Sequence, residues 1–503
     1  MKKKLSLLLG LLLAGCTAAD VSSAVSYVDD DYRNTYEIFV YSFNDTNGDG
    51  IGDLNGVREK LDYIQDTGFN AIWLMPICPS PTYHKYDVTD YYGIDPQYGT
   101  MEDFDTLCKE CHKRNIRVMT DLVLNHTSSQ HPWFVDALQK KEASPYFDYY
   151  NFAYEYHEGY TERNGIYYEC RFWEEMPDLN LDSEELREEI KKIMAFWIEH
   201  GVDGFRLDAV TSFYTGSDEQ NIAFLQWLCN AGKGIKEDLT FVGEAWTSQS
   251  KYATYYKSGI DSLFDFAYSG FNGIIHDTVM GVYGVDDYIS ALVKEEELYA
   301  SYNKDFVNAP FYTNHDMARS AGFYAGEDGM AKAKIAGALN LLMTGNAFVY
   351  YGEEIGMRGS LKDENYRAPM YWSSQENCVG PLDMDEFDMM YPPYDEQAED
   401  SNSIYRYYQK MLKTRLQYPA IARGRTVPVL HLCEEEYGAF ERICDGYDSV
   451  LIAINLSNEA ETISLSGLNY SKLAETILTT EEEISLNGET LVLPGYSVAI
   501  LTK

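Results

Sequence analysis

From about residue 36 onward, short apolar runs alternate with amphipathic stretches. Eight runs stand out: Ile38–Tyr41, Ala71–Met75, Val118–Leu124, Gly204–Val210, Phe241–Gly243, Ser262–Phe266, Phe311–Thr313 and Ala347–Tyr351. Unbroken apolar runs suit parallel strands covered on both faces, because a strand with one wet face alternates instead. Most connections are long enough for a crossover helix. In one of them Ile190, Ile193, Met194, Trp197 and Ile198 share a helical face, and Gly201 is placed to end the helix. Eight strands of this kind predict an α/β fold, a (β/α)8 barrel. The connection between His126 and Leu186 is too long for a simple crossover and is rich in Tyr. It predicts a subdomain inserted after strand 3. After about Thr426 the pattern becomes short β-type runs separated by Gly turns, at Val450–Leu456, Glu461–Leu465 and Leu491–Leu501. These predict a C-terminal all-β sandwich domain. No internal repeat or long linker interrupts the order.

The first residues follow a different pattern. Lys2, Lys3 and Lys4 precede an apolar stretch from Leu5 to Leu13, too short to span a bilayer but suited to a signal peptide. Leu13-Ala14-Gly15-Cys16 resembles a bacterial lipoprotein signal, in which Cys16 becomes the lipidated N-terminus; plain secretion is the alternative. The predicted organisation is therefore a signal peptide at 1–15 and a tether at 16–34. The barrel takes 35–125 and 181–425, the inserted subdomain 126–180, and the β-sandwich 426–503. The chain is expected to be exported and held by a lipid anchor at the cell membrane or cell surface, with no other membrane contact, and to act as a monomer.

Composition narrows the partners. With 80 acidic against 40 basic residues the formal charge is −40. Such a surface repels phosphate backbones, so nucleic acid is excluded as a natural partner and a neutral substrate is favoured. Of nine Cys, eight remain after Cys16, scattered rather than arranged as a disulfide framework. Cys108 and Cys111 have redox or zinc spacing. Thr100-x-x-Asp103 nevertheless resembles a capping box, which places Phe104, Leu107, Cys108 and Cys111 on one buried helix face. Cys433 and Cys444 flank what reads as a hairpin, and whether they pair is left open.

Polar residues at the C-terminal ends of barrel strands are where catalysis is sought. They are Asp121 and His126 at the third strand, Arg206 and Asp208 at the fourth, Glu244 at the fifth, and His315 and Asp316 at the seventh. Each buried ion costs several kcal/mol to desolvate, so a purely structural role for the whole set is a poor explanation. Two carboxyl groups facing a sugar can cleave a glycosidic bond, one as nucleophile and one as acid. Adjacent strand ends would set Asp208 and Glu244 side by side. Arg206, two residues earlier on the same strand face, would favour the ionised form of Asp208. Glu244 must keep a proton, which requires burial and acidic neighbours.

These residues lie in motifs that resemble the α-amylase family of glycoside hydrolases (family thirteen). Asp121-Leu-Val-Leu-Asn125-His126, Gly204-Phe-Arg206-Leu-Asp208-Ala, Gly243-Glu244-Ala-Trp246 and Thr313-Asn314-His315-Asp316 look like its four signature regions. Met176-Pro-Asp178-Leu-Asn180 looks like its fifth, and Tyr350-Tyr351-Gly352-Glu353-Glu354 like its last barrel strand. The resemblance spans residues 36–503. It implies that Asp208 is the nucleophile, Glu244 the acid/base and Asp316 a transition-state stabiliser. It further implies substrate contacts from Tyr86, Asp121, His126, Arg206, His315 and Arg319.

The loop after the first strand reads Asp45-x-Asn47-x-Asp49-Gly50-Ile51-x-Asp53. Alternating oxygen donors with Gly at the sixth position resemble a calcium loop, although Gly56 at the twelfth rules out an EF-hand. Similar loops in oligo-1,6-glucosidase-like members of the family bind Ca²⁺, with Ile51 matching a carbonyl ligand. A solvated cluster of Asx turns is the alternative.

For linkage, the resemblance implies α-1,4 cleavage, because Ala209 stands where α-1,6 enzymes often have Val. Tyr83 stands where exo-glucosidases commonly have Asp, which favours an endo-acting α-amylase. Thr211-Ser212 replace the Lys-His pair of many α-amylases, so no interdomain calcium is expected near Asn125. The expected function is a retaining endo-acting α-amylase on starch and maltooligosaccharides. The alternatives are an α-glucosidase, neopullulanase-like hydrolase or transglycosylase of the same family, and a non-catalytic, membrane-tethered glycan binder.

Overall fold

The computed structural model describes residues 28–375, 377–479 and 482–503. The expected signal peptide, Cys16 and most of the tether lie outside the described residues. Among the described residues no helix is long and apolar enough to cross a membrane.

Seven parallel strands form the central sheet: β1 (Asn34–Ile38), β2 (Ala71–Leu74), β3 (Arg117–Leu122), β4 (Gly204–Leu207), β5 (Thr240–Gly243), β6 (Ser262–Leu263) and β7 (Ala347–Tyr350). They are ordered β7-β1-β2-β3-β4-β5-β6. The eighth position is filled by residues 309–311, through parallel bridges from Ala309 to Phe264 and from Phe311 to Phe348. The sheet therefore curls into a (β/α)8 barrel whose Phe311–Thr313 member is reduced to single bridges. The first strand also lies earlier than expected. It ends at Ile38, and Val40–Ser42 already form a 3-10 turn, although Phe39, Val40 and Phe43 stay in the core.

The strands are buried on both faces because helices cover the outside. Helix Glu184–Glu199 shows how. Ser183 caps it by accepting from the Leu186 N–H; Leu186, Ile190, Ile193, Met194 and Trp197 form its buried face. Gly201, at φ +102°, turns the chain back toward β4. Helix Met101–Lys113 begins with the Thr100/Asp103 capping box and buries Phe104, Leu107, Cys108 and Cys111, so the two cysteines are core residues. All eight described cysteines are free.

Between β3 and Glu184 lie helix Pro132–Lys140 and a three-stranded antiparallel sheet of 152–153, 166–169 and 160–163. Bridges from His126 to Asp178 and from Tyr150 to Leu179 close this insertion at its root.

Past Arg425 the chain is all β. Five antiparallel strands run in the order Arg425–Pro428, Tyr437–Ile443, Val450–Asn455, Ser497–Thr502, Lys472–Leu478, beside a three-stranded sheet of Glu461–Ser464, Thr490–Leu493 and Ser485–Asn487. The Leu491–Leu501 run is thus two strands in two sheets, broken at Pro494-Gly495. Cys433 lies at the closed end of hairpin 425–443 and Cys444 at its open end. A seven-residue strand separates them; at about 3.3 Å per residue it holds them too far apart to pair. The central strand Val450–Asn455 is buried throughout. Its Leu451 and Ala453 pack between the two sheets, whereas Val450, Ile452 and Ile454 join the core that extends into the barrel.

At the opposite end of the strands from the cleft, an N-terminal arm is latched down. Asp30 makes a bidentate pair with Arg423 (2.6 and 2.7 Å). Asp29 pairs with Arg33 and Arg117, and Asp31 with Arg117. Arg33 immediately precedes β1 and Arg117 opens β3, so the arm lies across the base of the barrel.

Candidate active site

Sheet register assembles the site. Asp121 of β3 stands directly opposite Arg206 of β4, and Leu207 opposite Gly243 of β5. Asp208 and Glu244 therefore leave their strands at the same level. The ladder runs on past them, with Glu244 N–H donating to Leu207 O (3.0 Å) and Val210 N–H to Glu244 O (3.0 Å).

One guanidinium joins three carboxyl groups. Arg206, fully buried, donates from Nη1 to Asp121 Oδ1 (2.6 Å) and Asp208 Oδ1 (2.7 Å), and its Nη2 lies 3.2 Å from Glu244 Oε2. The same Glu244 oxygen accepts the Ala209 N–H at 2.9 Å. Ala209 sits at φ +51°, a left-handed turn that aims this N–H at the acid. Burial raises the pKa of Glu244 to about 7; Arg206 opposes that rise, and Asp208 and Asp316 reinforce it. Burial likewise lifts Asp121 to about 6, against the pull of Arg206. Trp73 Nε1–H donates to the second oxygen of Asp121 (2.8 Å).

Across the mouth, His315 lies between two carboxylates, with Nδ1 2.6 Å from Glu37 Oε1 and Nε2 3.0 Å from Asp316 Oδ2. Burial works against its charge, but Asp316 and Glu37 prevail and lift it to about 9, so it is an imidazolium at neutral pH. Asp316 is held well below the usual carboxylate range against the opposing cost of burial, by His315, Arg367 and Arg206. Tyr86 stacks against His315 (centroids 5.5 Å, 14°) with its hydroxyl 2.8 Å from Nε2. His126 Nε2 meets the Tyr86 carbonyl at 3.2 Å, and burial keeps this ring toward its neutral form.

These groups face a cavity of about 580 Å3 at the C-terminal ends of the strands. Tyr86, His126, Asp208, Glu244 and Asp316 line it directly. Asp121, Arg206 and His315 form its buried floor. Phe172 and Trp173 from the insertion and Trp246 after β5 line it too, each about half exposed (51, 48 and 54%).

One expected residue is elsewhere. Arg319 does not line the cavity: it is buried between Tyr350 and Tyr351 and donates to the carbonyls of Tyr351 and Tyr366. Its guanidinium braces the segment after β7, because those carbonyls face inward and need donors. The arginine at the cavity is Arg367, which donates to Asp316 Oδ1 (3.0 Å), the His315 carbonyl (3.2 Å) and the Tyr83 hydroxyl (3.1 Å). Arg367 and Glu37 are missing from the sequence-derived set. A lone acid inside the apolar stretch Tyr36–Val40 was the one available signal for Glu37. Nothing around Arg367 marks it in sequence.

The loop 45–53 offers only oxygen donors, the right kind for a hard cation. Asp45 Oδ1 accepts from the N–H groups of Asn47 and Gly48, and Oδ2 from that of Gly50. Asn47 accepts from Asp49 N–H and Asp49 from Ile51 N–H. Asp53 caps helix Leu54–Glu59 and accepts from Thr46. These are Asx turns that hold the loop open with acceptor capacity left on each carboxylate. Among the described residues no three His, Cys, Asp or Glu side chains converge as metal ligands. Near Asn125 the amide donates to Asp178 Oδ1 (3.2 Å).

Comparison with known proteins agrees with this chemistry. A family model described as "Alpha amylase, catalytic domain" matches residues 37–424. Alpha-amylase 3 of Dictyoglomus thermophilum is 43% identical over 418 residues, covering 78% of this chain and 79% of that protein. Among solved structures, Eubacterium rectale Amy13B superposes with a TM-score of 0.93 at 46% identity, over 95% of this chain and 96% of that one. An α-amylase from H. orenii gives 0.83 at 34% identity, over 94% and 100%.

Proposed function

The chain belongs to the α-amylase family of glycoside hydrolases, and from that premise we propose that it is a retaining, endo-acting α-amylase cutting α-1,4 bonds in starch and maltooligosaccharides. The observation that carries the reading is the shared grip of Arg206 on Asp208 and Glu244, in register at two neighbouring strand ends. Asp208 attacks the anomeric carbon while Glu244 gives its proton to the departing glycosidic oxygen. A glycosyl ester on Asp208 results. Glu244, now a carboxylate, takes a proton from water; the water oxygen bonds to the anomeric carbon and the Asp208 carboxylate leaves. Asp316, held anionic, faces the positive charge that develops on the sugar, and Tyr86 and His126 wall the ring.

Half-exposed aromatics on both sides of the carboxyl groups support a chain-binding cleft, since sugar faces stack on exposed rings. Tyr83, tied to Arg367, leaves no acid at the position associated with exo action. The test is a maltoheptaoside blocked at its non-reducing end. Internal cleavage supports the endo reading. Glucose released only from the unblocked sugar would make the enzyme an exo-glucosidase.

Ca²⁺ belongs to this reading through Asp45, Asn47, Asp49, the Ile51 carbonyl and Asp53. The ion's part there would be structural, stiffening the loop after β1, and no catalytic step passes through it. Lipidation at Cys16 and a cell-surface location complete the proposal. Release of the protein from membranes by Cys16→Ala would support them, and unchanged membrane association would refute them.

A further inference from the structure

A second cavity, of about 240 Å3, lies between the barrel's outer helices and the terminal β-sheet. Helix Gly329–Leu341 contributes Lys334, helix Ile404–Gln417 contributes Arg406, Tyr407 and Lys410, and strand Lys472–Leu478 contributes Thr476. In a chain with twice as many acids as bases, three cations line this cavity and, among the described residues, no carboxylate does. Lys334 is buried, and its ammonium donates to the Asn402 carbonyl (2.5 Å), Asn402 Oδ1 (3.1 Å) and the Thr479 carbonyl (3.3 Å). Those oxygens satisfy its hydrogen bonds without cancelling its charge. Arg406 donates to the neutral oxygens of Ala398 and Gln409. Among the described residues, Glu475 lies 3.8 Å from Lys410, and Asp400 acts on Lys334 from a distance. Tyr407, 5% exposed, also lines the cavity beside these cations.

We propose that this cavity is a binding site for a small phosphate oxyanion, free or esterified, held by Arg406 and Lys410 beside the buried positive charge of Lys334. Its acceptor oxygens match a cavity that presents donors and positive charge. The protein's net negative charge does not prevent this, because fields from distant charges are screened within about 8–10 Å at physiological salt. Burial pulls the Lys334 pKa down to about 8, the direction expected of an ammonium that lacks a counter-ion. Bound there, the anion would tie both helices to the terminal sheet, far from the catalytic carboxyls.

The test is titration of the full chain with inorganic phosphate at ionic strength fixed with NaCl. We expect one saturable site per chain by calorimetry and a rise in the unfolding midpoint of about 2 °C or more near saturation. Arg406→Gln and Lys410→Gln, on side chains that reach solvent, should each weaken binding about tenfold with hydrolysis unchanged. Glucose 6-phosphate binding more tightly than inorganic phosphate would assign an esterified source; tighter binding of inorganic phosphate would assign the free ion. No saturable heat, or an equal midpoint rise with NaCl alone or in both Gln variants, would overturn the site.

Discussion

Glu244 has the most demanding task in the cleft, since it must enter the reaction protonated and leave it ionised. Its pKa of about 7 comes from burial first and from Asp208 and Asp316 second. The acid form is the one required for glycosidic cleavage, so kcat/KM should fall as pH rises through about 7, and the falling limb of a pH–rate profile measures it. Glu244→Gln should flatten that limb and lower kcat by about 10²–10⁴-fold on substrates with poor leaving groups. Asp208→Asn should abolish turnover to a similar or greater extent, with circular dichroism and melting little changed. Near-normal rates in either variant would dismiss the assignment. These two residues were legible because acids at consecutive strand ends stand out against apolar runs. Glu37 and Arg367 were not, because each acts through a partner distant in sequence: Glu37 on His315, and Arg367 on Asp316. Arg319 misled for the converse reason. It shares the His315 segment, but its side chain turns under the loop toward Tyr350 and Tyr351.

At the scale of elements, apolar runs identified strands well where both faces are plain core. They erred where function or closure intrudes. The first strand was placed too late because Glu37 breaks its apolar run, while the buried 3-10 turn that follows reads as strand. The eighth barrel member is nearly absent as a strand, since residues 309–311 close the sheet with one bridge on each side. In the terminal domain the strands Tyr437–Ile443 and Lys472–Leu478 escaped notice because polar residues interrupt them. The first of them carries Arg442, fully buried, bonded to Glu296 Oε1 (2.8 Å) and to the Leu342 carbonyl (2.7 Å). Arg442→Met should destabilise the protein by about 3–5 kcal/mol, because Glu296 and inward-facing carbonyls lose their donor. Denaturant unfolding measures that loss, and a change under 1 kcal/mol would show the junction to be more adaptable than its geometry indicates.

For the whole molecule, the terminal sheet is part of the barrel's core rather than an appendage. Val450, Ile452 and Ile454 pack into the barrel side of one continuous cluster. A chain ended at residue 424 should therefore express as insoluble protein, as judged by fractionation, although the catalytic residues are all retained. Stability should also lean toward the acid side of neutral. Asp121 is raised to about 6, and Asp178 and Glu353 to about 7, by burial in each case. A raised carboxyl pKa contributes stability below the ordinary carboxylate range, and that contribution is lost as pH rises through the folded value. The thermal midpoint should accordingly fall as pH rises from about 4 to about 7, and a scan across that window reads the slope. If Ca²⁺ occupies loop 45–53, chelation should lower the midpoint further; an unchanged midpoint together with metal-free elemental analysis would leave the loop as bare Asx turns.

The aspartate latch at the base of the barrel has a mechanical consequence. Asp29, Asp30 and Asp31 clip the chain to Arg33, Arg117 and Arg423, so any pull on the N-terminus is transmitted at the floor of the barrel, along its axis. Under the lipidation proposed for Cys16, a molecule moored by that end would have its cleft on the side away from the mooring. With that anchor the latch would work like a keel, setting which way the enzyme faces without touching the chemistry.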